Sequence, residues 1–217
     1  MSIMIALPCH GGIVNEKTTM SLFNLGKLLV RNNIPHGLLT QANSSLITHG
    51  RSKCANFFIN NTDHEYLFFL DSDIGFNPED VLKLLSHNED LVSGTYPMKT
   101  IPIRYCVDVL EPEERKGNLL KVGGNGMGFV MIRRNVFIDI AQKFPYLKYT
   151  PSTKDSNYPL TEAEMNNSYH FFMEEKIGDS FASEDKSFFY RARMIGYTHW
   201  LDTTIKLRHV GSHVFSE

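Results

Sequence analysis

The chain has 217 residues, with 22 Lys or Arg against 24 Asp or Glu, so its formal net charge is −2 at pH 7. Hydrophobic residues make up 42% and charged residues 21%, a balance typical of a globular protein with a buried core. The charge argues against a general nucleic-acid binder, which needs a basic surface to neutralise phosphates. A local cationic pocket for one small anionic ligand is compatible with it.

The cysteine pattern and the short apolar runs predict the compartment. Cys9, Cys54 and Cys106 form no CxxC pair and leave an odd thiol, which is typical of a reducing environment. The longest apolar runs are far shorter than a membrane span. The N-terminus has no basic segment ahead of a long apolar one, so we expect no cleaved signal peptide. We therefore predict a soluble cytoplasmic protein with no membrane span and no nucleic acid among its partners.

The first hundred residues alternate apolar runs with amphipathic stretches. The predicted strands are residues 3–7, 36–40, 66–70 and 91–95. One predicted helix is capped by Thr18 or Thr19, and its apolar positions are Met20, Phe23, Leu28 and Val30. Two more follow, over residues 52–59 and after the Asn77-Pro78 start signal. This β-α-β order predicts a mostly parallel central sheet with helices on both faces.

The second half predicts a smaller, antiparallel part. Strands are expected at residues 103–109, 119–122 and 129–132 without intervening helices, followed by a helix over 135–144. Residues 145–180 have little periodicity, and so long an irregular stretch is often a functional loop. A last helix over 183–195 precedes short strands at 199–201 and 205–207. We predict one α/β domain over residues 1–217.

An acidic pair follows the third strand directly. In Asp71-Ser72-Asp73, alternate residues of an extended chain point the same way, so both carboxylates can face one site. Ligands bind beyond the carboxyl ends of parallel strands, and carboxylate oxygens there suit a divalent cation that bridges two phosphates. The alternative interpretation is that aspartates simply favour turns after strands. Their position at the mouth of the sheet favours Asp73 as a metal ligand and Asp71 as a ribose contact or indirect support.

Several segments together resemble GT-A glycosyltransferases, Rossmann-like enzymes that transfer a sugar from a nucleotide-sugar donor using a DxD-bound metal. They occur in family order across nearly the whole chain: Ser45-Leu46-Ile47 with Arg51, Leu70-Asp71-Ser72-Asp73-Ile74, Gly94-Thr95-Tyr96-Pro97-Met98-Lys99, Gly126-Met127-Gly128-Phe129, Ser183-Glu184-Asp185-Lys186-Ser187-Phe188-Phe189, Gly196 with Trp200 and Asp202, and His209-Val210-Gly211. The chain is similar in particular to glycosyltransferase domains encoded by large algal viruses. It departs from them at Ser52, where relatives often show Asn after the arginine.

This resemblance implies a metal centre and a catalytic base. His209, with His213 as a weaker substitute, would complete a metal shell with Asp73 and Asp71, and imidazole beside carboxylate favours Mn²⁺, with Mg²⁺ as the alternative. Asp185 would deprotonate the acceptor hydroxyl in an inverting reaction, with Glu184 as the alternate base. The alternative for both acids is that they only complement the dipole of the helix that they begin.

The resemblance also implies a UDP-sugar donor and a carbohydrate acceptor, with residues 1–100 as the nucleotide-binding half and 101–217 as the acceptor and catalytic half. The expected nucleotide or donor contacts are Pro8, Cys9, Thr40, Arg51, Asp71, Ser72, Lys99, Gly126 and Gly128. For these positions a surface role is an open alternative, and the glycines can equally mark a bulge. The expected acceptor or lid aromatics are Tyr158, Tyr169, Phe171, Phe172 and Trp200, with anchoring of a long loop favoured for Phe171 and Phe172.

The function predicted on this basis is metal-dependent, inverting transfer of a hexose or deoxyhexose from a UDP-sugar to a glycan acceptor. The chain is then one module of a longer protein or a protein by itself, in the host cytoplasm if it is viral. One alternative is a haloacid-dehalogenase-like phosphatase, although its nucleophilic Asp usually lies on the first strand and position 75 here is Gly. A nucleotidyltransferase is another, although residues 8–12 lack the expected basic loop. The third is a nucleotide-sugar binding module without turnover.

Overall fold

A computed structural model describes residues 1–152, 159–211 and 214–216. Its helices are α1 Glu16–Arg31, α2 Ile47–Asn61, α3 Pro78–His87, α4 Arg134–Lys143, α5 Glu162–Asn166 and α6 Glu184–Met194. Its strands are β1 Ile3–Cys9, β2 His36–Ala42, β3 Tyr66–Leu70, β4 Ile74–Gly75, β5 Leu91–Ser93, β6 Val107–Val109, β7 Arg115–Lys116, β8 Leu119–Asn125, β9 Phe129–Arg133, β10 Lys148–Tyr149, β11 Ser168–Tyr169, β12 Glu175–Ile177, β13 Ser180–Ala182, β14 His199–Asp202, β15 Arg208–Val210 and β16 Val214–Phe215.

Nine of these strands form one central sheet, in the order β2-β1-β3-β9-β5-β14-β8-β6 with β7 also paired to β8. The strands β8 and β9 run against their neighbours, and the other seven point the same way. The prediction of a mostly parallel sheet with a smaller antiparallel second part is therefore confirmed. The carboxyl ends of β1, β2 and β3 meet at one edge of the sheet, as pairing of parallel strands requires.

Helices cover both faces of the sheet, each over its own hydrophobic cluster. One cluster includes Phe58 of α2, Phe137 of α4 and Phe188 of α6, all fully buried. The other includes Leu25 of α1 and Leu84 of α3. The buried strand β3 contributes alternate residues to the two clusters, which explains why it is apolar throughout. No helix in the described part of the chain is long and apolar enough to cross a bilayer.

The buried face of α1 differs from the predicted one. The helix begins earlier, with Asn15 rather than Thr18 or Thr19 at the N-cap, and Asn15 accepts a hydrogen bond from the Lys17 backbone. It buries Thr18, Ser21, Leu25 and Leu29, whereas the predicted apolar positions Met20, Phe23 and Val30 are exposed. The hydroxyl of Ser21 donates to the Phe76 carbonyl at 2.7 Å and accepts from its amide, so a polar residue is satisfied inside the core.

Other differences lie at element ends and in the irregular region. The strand predicted at 205–207 is absent, although Ile205 and Leu207 are buried, and the strand predicted from 103 begins only at Val107. Helix α2 begins at Ile47, five residues before its predicted start. The prediction missed these residues because the buried face of the helix carries polar side chains, which hide the apolar period. Within residues 145–180 the described structure consists of short strands, a 3₁₀ turn at Pro145–Leu147 and the five-residue α5.

A buried carboxylate ties the end of β14 to α3. The side chain of Asp202 is 1% exposed and accepts from His87 at 2.8 Å and from the backbone and hydroxyl of Thr204. Burial alone would raise the pKa of Asp202, but the hydrogen bonds from Thr204 and His87 outweigh it, so its pKa is below the ordinary 3.8.

We expect Asp202→Asn to lower the free energy of unfolding by about 1–3 kcal/mol at neutral pH, because hydrogen bonds to a charged acceptor are lost. Since the folded-state pKa is depressed, this contribution is present above the ordinary pKa and disappears as the pH falls through the folded-state value. Urea unfolding over an acid-to-neutral series measures it. Glu113→Gln, at an exposed ion pair with Arg115, is the control and should change little. An Asp202→Asn deficit that persists unchanged in acid would contradict this account.

Candidate functional site

The candidate site lies at the carboxyl edge of the parallel strands. Cys9 at the end of β1 pairs with Ala42 at the end of β2. The loop after β3 is fixed by its backbone, because the Asp71 amide donates to the Gly128 carbonyl at 3.0 Å and the Ser72 carbonyl accepts from Asn15 at 2.8 Å. These bonds join the acidic loop both to the start of α1 and to the turn before β9. The acidic loop of the first half of the chain therefore contacts the second half at Gly128.

A buried arginine links the acidic loop to the start of α6. Arg51 is 4% exposed, and its Nη1 donates to Glu184 Oε1 at 2.6 Å. Its Nη2 donates to the two carboxylate oxygens of Asp71 at 2.9 and 3.2 Å. Arg51 is an expected nucleotide or donor contact. In the structure both of its terminal nitrogens contact protein carboxylates. Because carboxylates from two other segments, the loop after β3 and the start of α6, converge on one guanidinium, Arg51 positions both acids.

The second acid of this network, Glu184, lies in a partly desolvated position. Burial raises the pKa of Glu184, and the charges of Asp185 and Asp71 add to this while Arg51 opposes it. The hydrogen bond from Arg51 holds the Glu184 carboxylate in place. The neighbouring Asp185 has a different environment: its Oδ1 accepts from the Ser183 hydroxyl and from the Lys186 amide at 2.7 Å. No hydrogen bond from the described residues reaches Asp185 Oδ2.

Asp73 belongs to a second cluster with Lys99 and His209. Lys99 Nζ donates to Asp73 Oδ2 at 2.6 Å, and His209 Nε2 lies 3.5 Å from the same oxygen. His209 Nδ1 is 2.9 Å from the Pro97 carbonyl oxygen, which can only accept, so Nδ1 carries a proton. This leaves Nε2 directed toward Asp73. Strand β15 places His209 here, since it pairs with β4 directly after the acidic loop.

The donor set of this second cluster fits a divalent cation in part. A metal-ligating histidine commonly donates its other ring nitrogen to a backbone carbonyl, as His209 does to Pro97. The described residues contain no group of three or more His, Cys, Asp or Glu close enough to hold a metal by themselves. Of the three residues of the predicted metal shell, Asp71 is paired with Arg51, whereas Asp73 and His209 lie beside each other. A cation on these two residues would take its other ligands from phosphate oxygens and water, as is usual for nucleotide-bound metals.

Tyr96 connects the two clusters, a role that was not predicted from the sequence. Its hydroxyl accepts from the Gly128 amide at 3.1 Å, and its ring stands edge-on to His209 with centroids 5.0 Å apart. Burial raises the pKa of Tyr96, and the Asp71 carboxylate adds to this. The sequence does contain a signal for a role of Tyr96 in the site, because Tyr96 directly follows the fourth predicted strand, at the mouth of the sheet. Gly126 and Gly128 leave room for the Tyr96 ring, which gives these two glycines a packing role in addition to the predicted donor contact.

Gly128→Ala should therefore disturb the site more than the fold. A Cβ atom at Gly128 would lie 2.6 Å from Asp71 Oδ2 and 2.9 Å from the Tyr96 hydroxyl, so both side chains must shift. The resemblance implies a UDP-sugar donor with Mn²⁺ at this site, and on that expectation Gly128→Ala should bind UDP with Mn²⁺ clearly more weakly than the wild type, measured by titration calorimetry. Gly26→Ala in α1 is the matched control, since nothing lies within 4 Å of its Cβ and helix stability should rise by about 0.5–1 kcal/mol. UDP affinity in Gly128→Ala equal to that of the control would contradict this assignment.

The other predicted contacts occupy varied environments. Pro8 and Cys9 end β1 and are buried, and burial raises the pKa of Cys9. Thr40 is exposed on β2, at the sheet edge, while Ser72 is half-buried. Phe171 and Phe172 are fully buried in the core, as favoured from the sequence, and Tyr169 and Trp200 pack partly buried against it. Tyr158 and His213 lie outside the described residues.

The sequence matches no protein-family model and no curated protein. Among solved structures, A197 from STIV is similar over 100% of this chain and 94% of that one, with 19% identity and a TM-score of 0.56. A UDP-glucose pyrophosphorylase in complex with UDP-glucose is similar over 96% of this chain and 93% of that one, with 7% identity and a TM-score of 0.51. These likenesses extend over the whole chain and concern the fold. The chain therefore has a Rossmann-like α/β fold, which it shares with these two structures.

Proposed function

We propose that this protein is a metal-dependent glycosyltransferase of the GT-A type, which transfers a hexose or deoxyhexose from a UDP-sugar to a carbohydrate acceptor with inversion. The observation that carries the proposal is the approach of His209 Nε2 to Asp73 Oδ2, with Lys99 on the same oxygen, at the carboxyl edge of the sheet. Two electron-pair donors and one cation are thereby gathered where nucleotides bind in folds of this kind.

The donor half of the site suits a diphosphate. A divalent ion held by Asp73 and His209 would offset the negative charge that develops on the departing UDP. Lys99 supplies a further positive charge beside it and can donate to a phosphate oxygen. Arg51 holds the Asp71 carboxylate in place, and the Tyr96 hydroxyl accepts from the Gly128 amide in the turn beside it. The uridine preference is carried over from the resemblance, since no residue contact here distinguishes uracil.

The acceptor half suits proton removal by Asp185. Its Oδ1 is held by Ser183 and by the Lys186 amide, so the carboxylate has a defined orientation, and Oδ2 is the oxygen that would accept the acceptor's proton. Glu184 is bound to Arg51 at 2.6 Å, which favours Asp185 over it as the base. Attack from the side opposite the leaving diphosphate would invert the anomeric centre.

Nucleotidyl transfer is the second candidate, because a UDP-glucose pyrophosphorylase is among the similar structures. Against it, the end of β1 and the turn after it (residues 8–12) contain no Lys or Arg to hold a triphosphate. Phosphatase chemistry is disfavoured because Asp71, the first acid of the pair, accepts from Arg51 and is poorly placed as a nucleophile.

One experiment separates these functions. The protein is incubated with Mn²⁺ and a panel of UDP-, GDP- and dTDP-sugars with glycan acceptors, and the products are identified by mass spectrometry. Release of UDP with formation of a glycosylated acceptor is expected, and NMR of the new linkage reports inversion. In a parallel incubation with added pyrophosphate, formation of UTP and sugar 1-phosphate from a UDP-sugar would replace the proposal with nucleotidyl transfer. Phosphate release from simple monoesters would replace it with phosphatase activity, and metal-dependent binding without turnover would reduce it to a binding module.

A further inference from the structure

The outer side of α1 exposes an apolar stripe that the described residues leave uncovered. Met20, Phe23 and Val30 are 52%, 63% and 66% exposed. Successive helical residues are turned by about 100°, so these three share one side of the helix with the exposed Lys27 and Arg31. We call these five residues the α1 face. Each of the other helices that the structure describes exposes at most one large apolar side chain, and three on one side indicate a contact surface.

Cations lie among these apolar side chains. The ammonium group of Lys27 is 5.4 Å from the centroid of the Phe23 ring. Both residues line a surface groove with Val30, Arg31 and His36. Along the helix, Lys27 therefore lies between two exposed apolar residues rather than at the margin of the stripe.

A second groove continues the basic surface along the amino-terminal half of α1. It brings Lys17 and Met20 together with two exposed cations of a distant segment, Lys206 and Arg208. Glu16 is the one acid among the described residues that line the two grooves. Five Lys or Arg against one Glu give these linings a formal charge of +4, on a chain whose net charge is −2. The partner that complements this surface is therefore anionic.

We propose that the α1 face and the two grooves dock the protein on a membrane surface that contains anionic phospholipids. Met20, Phe23 and Val30 enter the boundary between headgroups and acyl chains, while the surrounding cations contact lipid phosphates. The inference goes beyond the proposed function and does not depend on it.

Two other occupants fit this surface less well. A second copy of the chain would bring two basic surfaces together, which costs free energy. An acidic protein would match the charge, but lysine is depleted at the centre of protein interfaces, and Lys27 lies within the apolar stripe. At a lipid surface the long Lys27 side chain can extend to the headgroups while its neighbours remain in apolar surroundings.

The amino-terminal end of this surface adjoins the candidate site. The amide of Asn15, the N-cap of α1, donates to the Ser72 carbonyl in the acidic loop at 2.8 Å. On β15, Arg208 directly precedes His209. A docked protein therefore holds the carboxyl edge of the sheet beside the lipid surface.

Sedimentation of the full chain with sucrose-loaded vesicles tests the proposal. The vesicles contain phosphatidylcholine alone, or phosphatidylcholine and phosphatidylserine in equal amounts, at low and at high NaCl. We expect binding to the anionic vesicles, much less to the neutral ones, and weaker binding at high salt, because salt screens exposed charges.

Charge variants assign the binding to α1. Lys27→Gln combined with Arg31→Gln should weaken binding to anionic vesicles about tenfold or more, since each cation at such a surface contributes about fivefold. Lys143→Gln combined with Lys148→Gln is the matched control. It removes the same charge from exposed positions in α4 and β10, and α4 packs on the other face of the sheet from α1. The control should bind like the wild type.

Phe23→Trp reports whether the apolar stripe enters the lipid. Tryptophan favours the membrane interface, so this variant should bind at least as tightly, and its emission should shift to shorter wavelength on anionic vesicles. Trp200, the one tryptophan of the chain, gives the background in the wild type. Phe23→Ser should weaken binding about tenfold or more while the circular dichroism stays unchanged, because the side chain is exposed.

Several results would overturn the proposal: no binding to anionic vesicles, equal binding to neutral ones, wild-type binding by Lys27→Gln with Arg31→Gln, or an unshifted emission of vesicle-bound Phe23→Trp. Sedimentation velocity without lipid tests the second copy, since dimers that disappear in Phe23→Ser would assign the surface to self-association. Tighter binding to poly-L-glutamate than to anionic vesicles would assign it to an acidic protein.

Discussion

Arg51→Met is expected to lower the free energy of unfolding by about 3–5 kcal/mol at neutral pH, because it leaves two carboxylates in a buried network without their cation. Glu184 and Asp71 both accept from Arg51, whose side chain is 5% exposed. The loss should shrink as the pH falls below neutrality. Burial already raises the pKa of Glu184, and removal of Arg51 should raise it further. As the pH falls, Glu184 therefore takes up a proton more readily in the folded variant than in the unfolded chain, which removes the cost of its buried charge. Urea unfolding across a pH series measures both effects.

Two further variants separate a buried-charge effect from lost packing. Arg51→Met combined with Asp71→Asn and Glu184→Gln removes all three charges and should recover most of the stability. Arg115→Met, at an exposed pair with Glu113, should change stability little. A loss below about 1 kcal/mol in Arg51→Met, or no recovery in the triple variant, would argue that Arg51 does not hold the two acids in place.

Asp73→Asn should abolish Mn²⁺-dependent binding of UDP and reduce turnover by about 10²–10³-fold or more, because the transition-state charge loses its electrostatic partner. The fold should be retained, since the Asp73 side chain is partly exposed and asparagine has nearly its shape. Calorimetry with Mn²⁺ and UDP measures binding, and UDP release measures turnover.

Asp185→Asn is the matched comparison for Asp73→Asn. It removes the proposed base but keeps an oxygen for Ser183 and Lys186, so UDP binding should match the wild type while turnover falls about 10²–10⁴-fold. The two variants therefore split binding from chemistry. Wild-type affinity for Mn²⁺ and UDP in Asp73→Asn would remove the basis of the metal site. Unchanged turnover in Asp185→Asn would leave that residue only its role at the start of α6.

Local patterns in the sequence were sufficient to predict the sheet and the position of the acidic pair at its carboxyl edge. The apolar run at 66–70 forms a strand buried on both faces, and the acids after it lie at the carboxyl edge. Asn77 and Pro78 mark the start of α3 as predicted, although the Asn77 side chain forms no capping hydrogen bond. Such signals are short-range, because strand burial and helix initiation depend on a few consecutive residues.

Such short-range signals did not predict the buried face of α1. Its apolar residues surround much of the helix, so their spacing did not single out the side that packs against the sheet. Packing selected the side with Ser21, whose hydroxyl pairs with the backbone of Phe76, 55 residues away. Met20 and Phe23 were left on the surface as a result.

By itself the sequence determined the α/β class, a mostly parallel sheet, and an acidic pair at the carboxyl edge of that sheet. Only the tertiary structure decided the partners of these acids. Arg51 and Glu184 are 133 positions apart, and His209 reaches Asp73 only because β15 pairs with β4. Sequence spacing specifies which residues share a local face, whereas ion pairs between distant segments follow from how those faces pack.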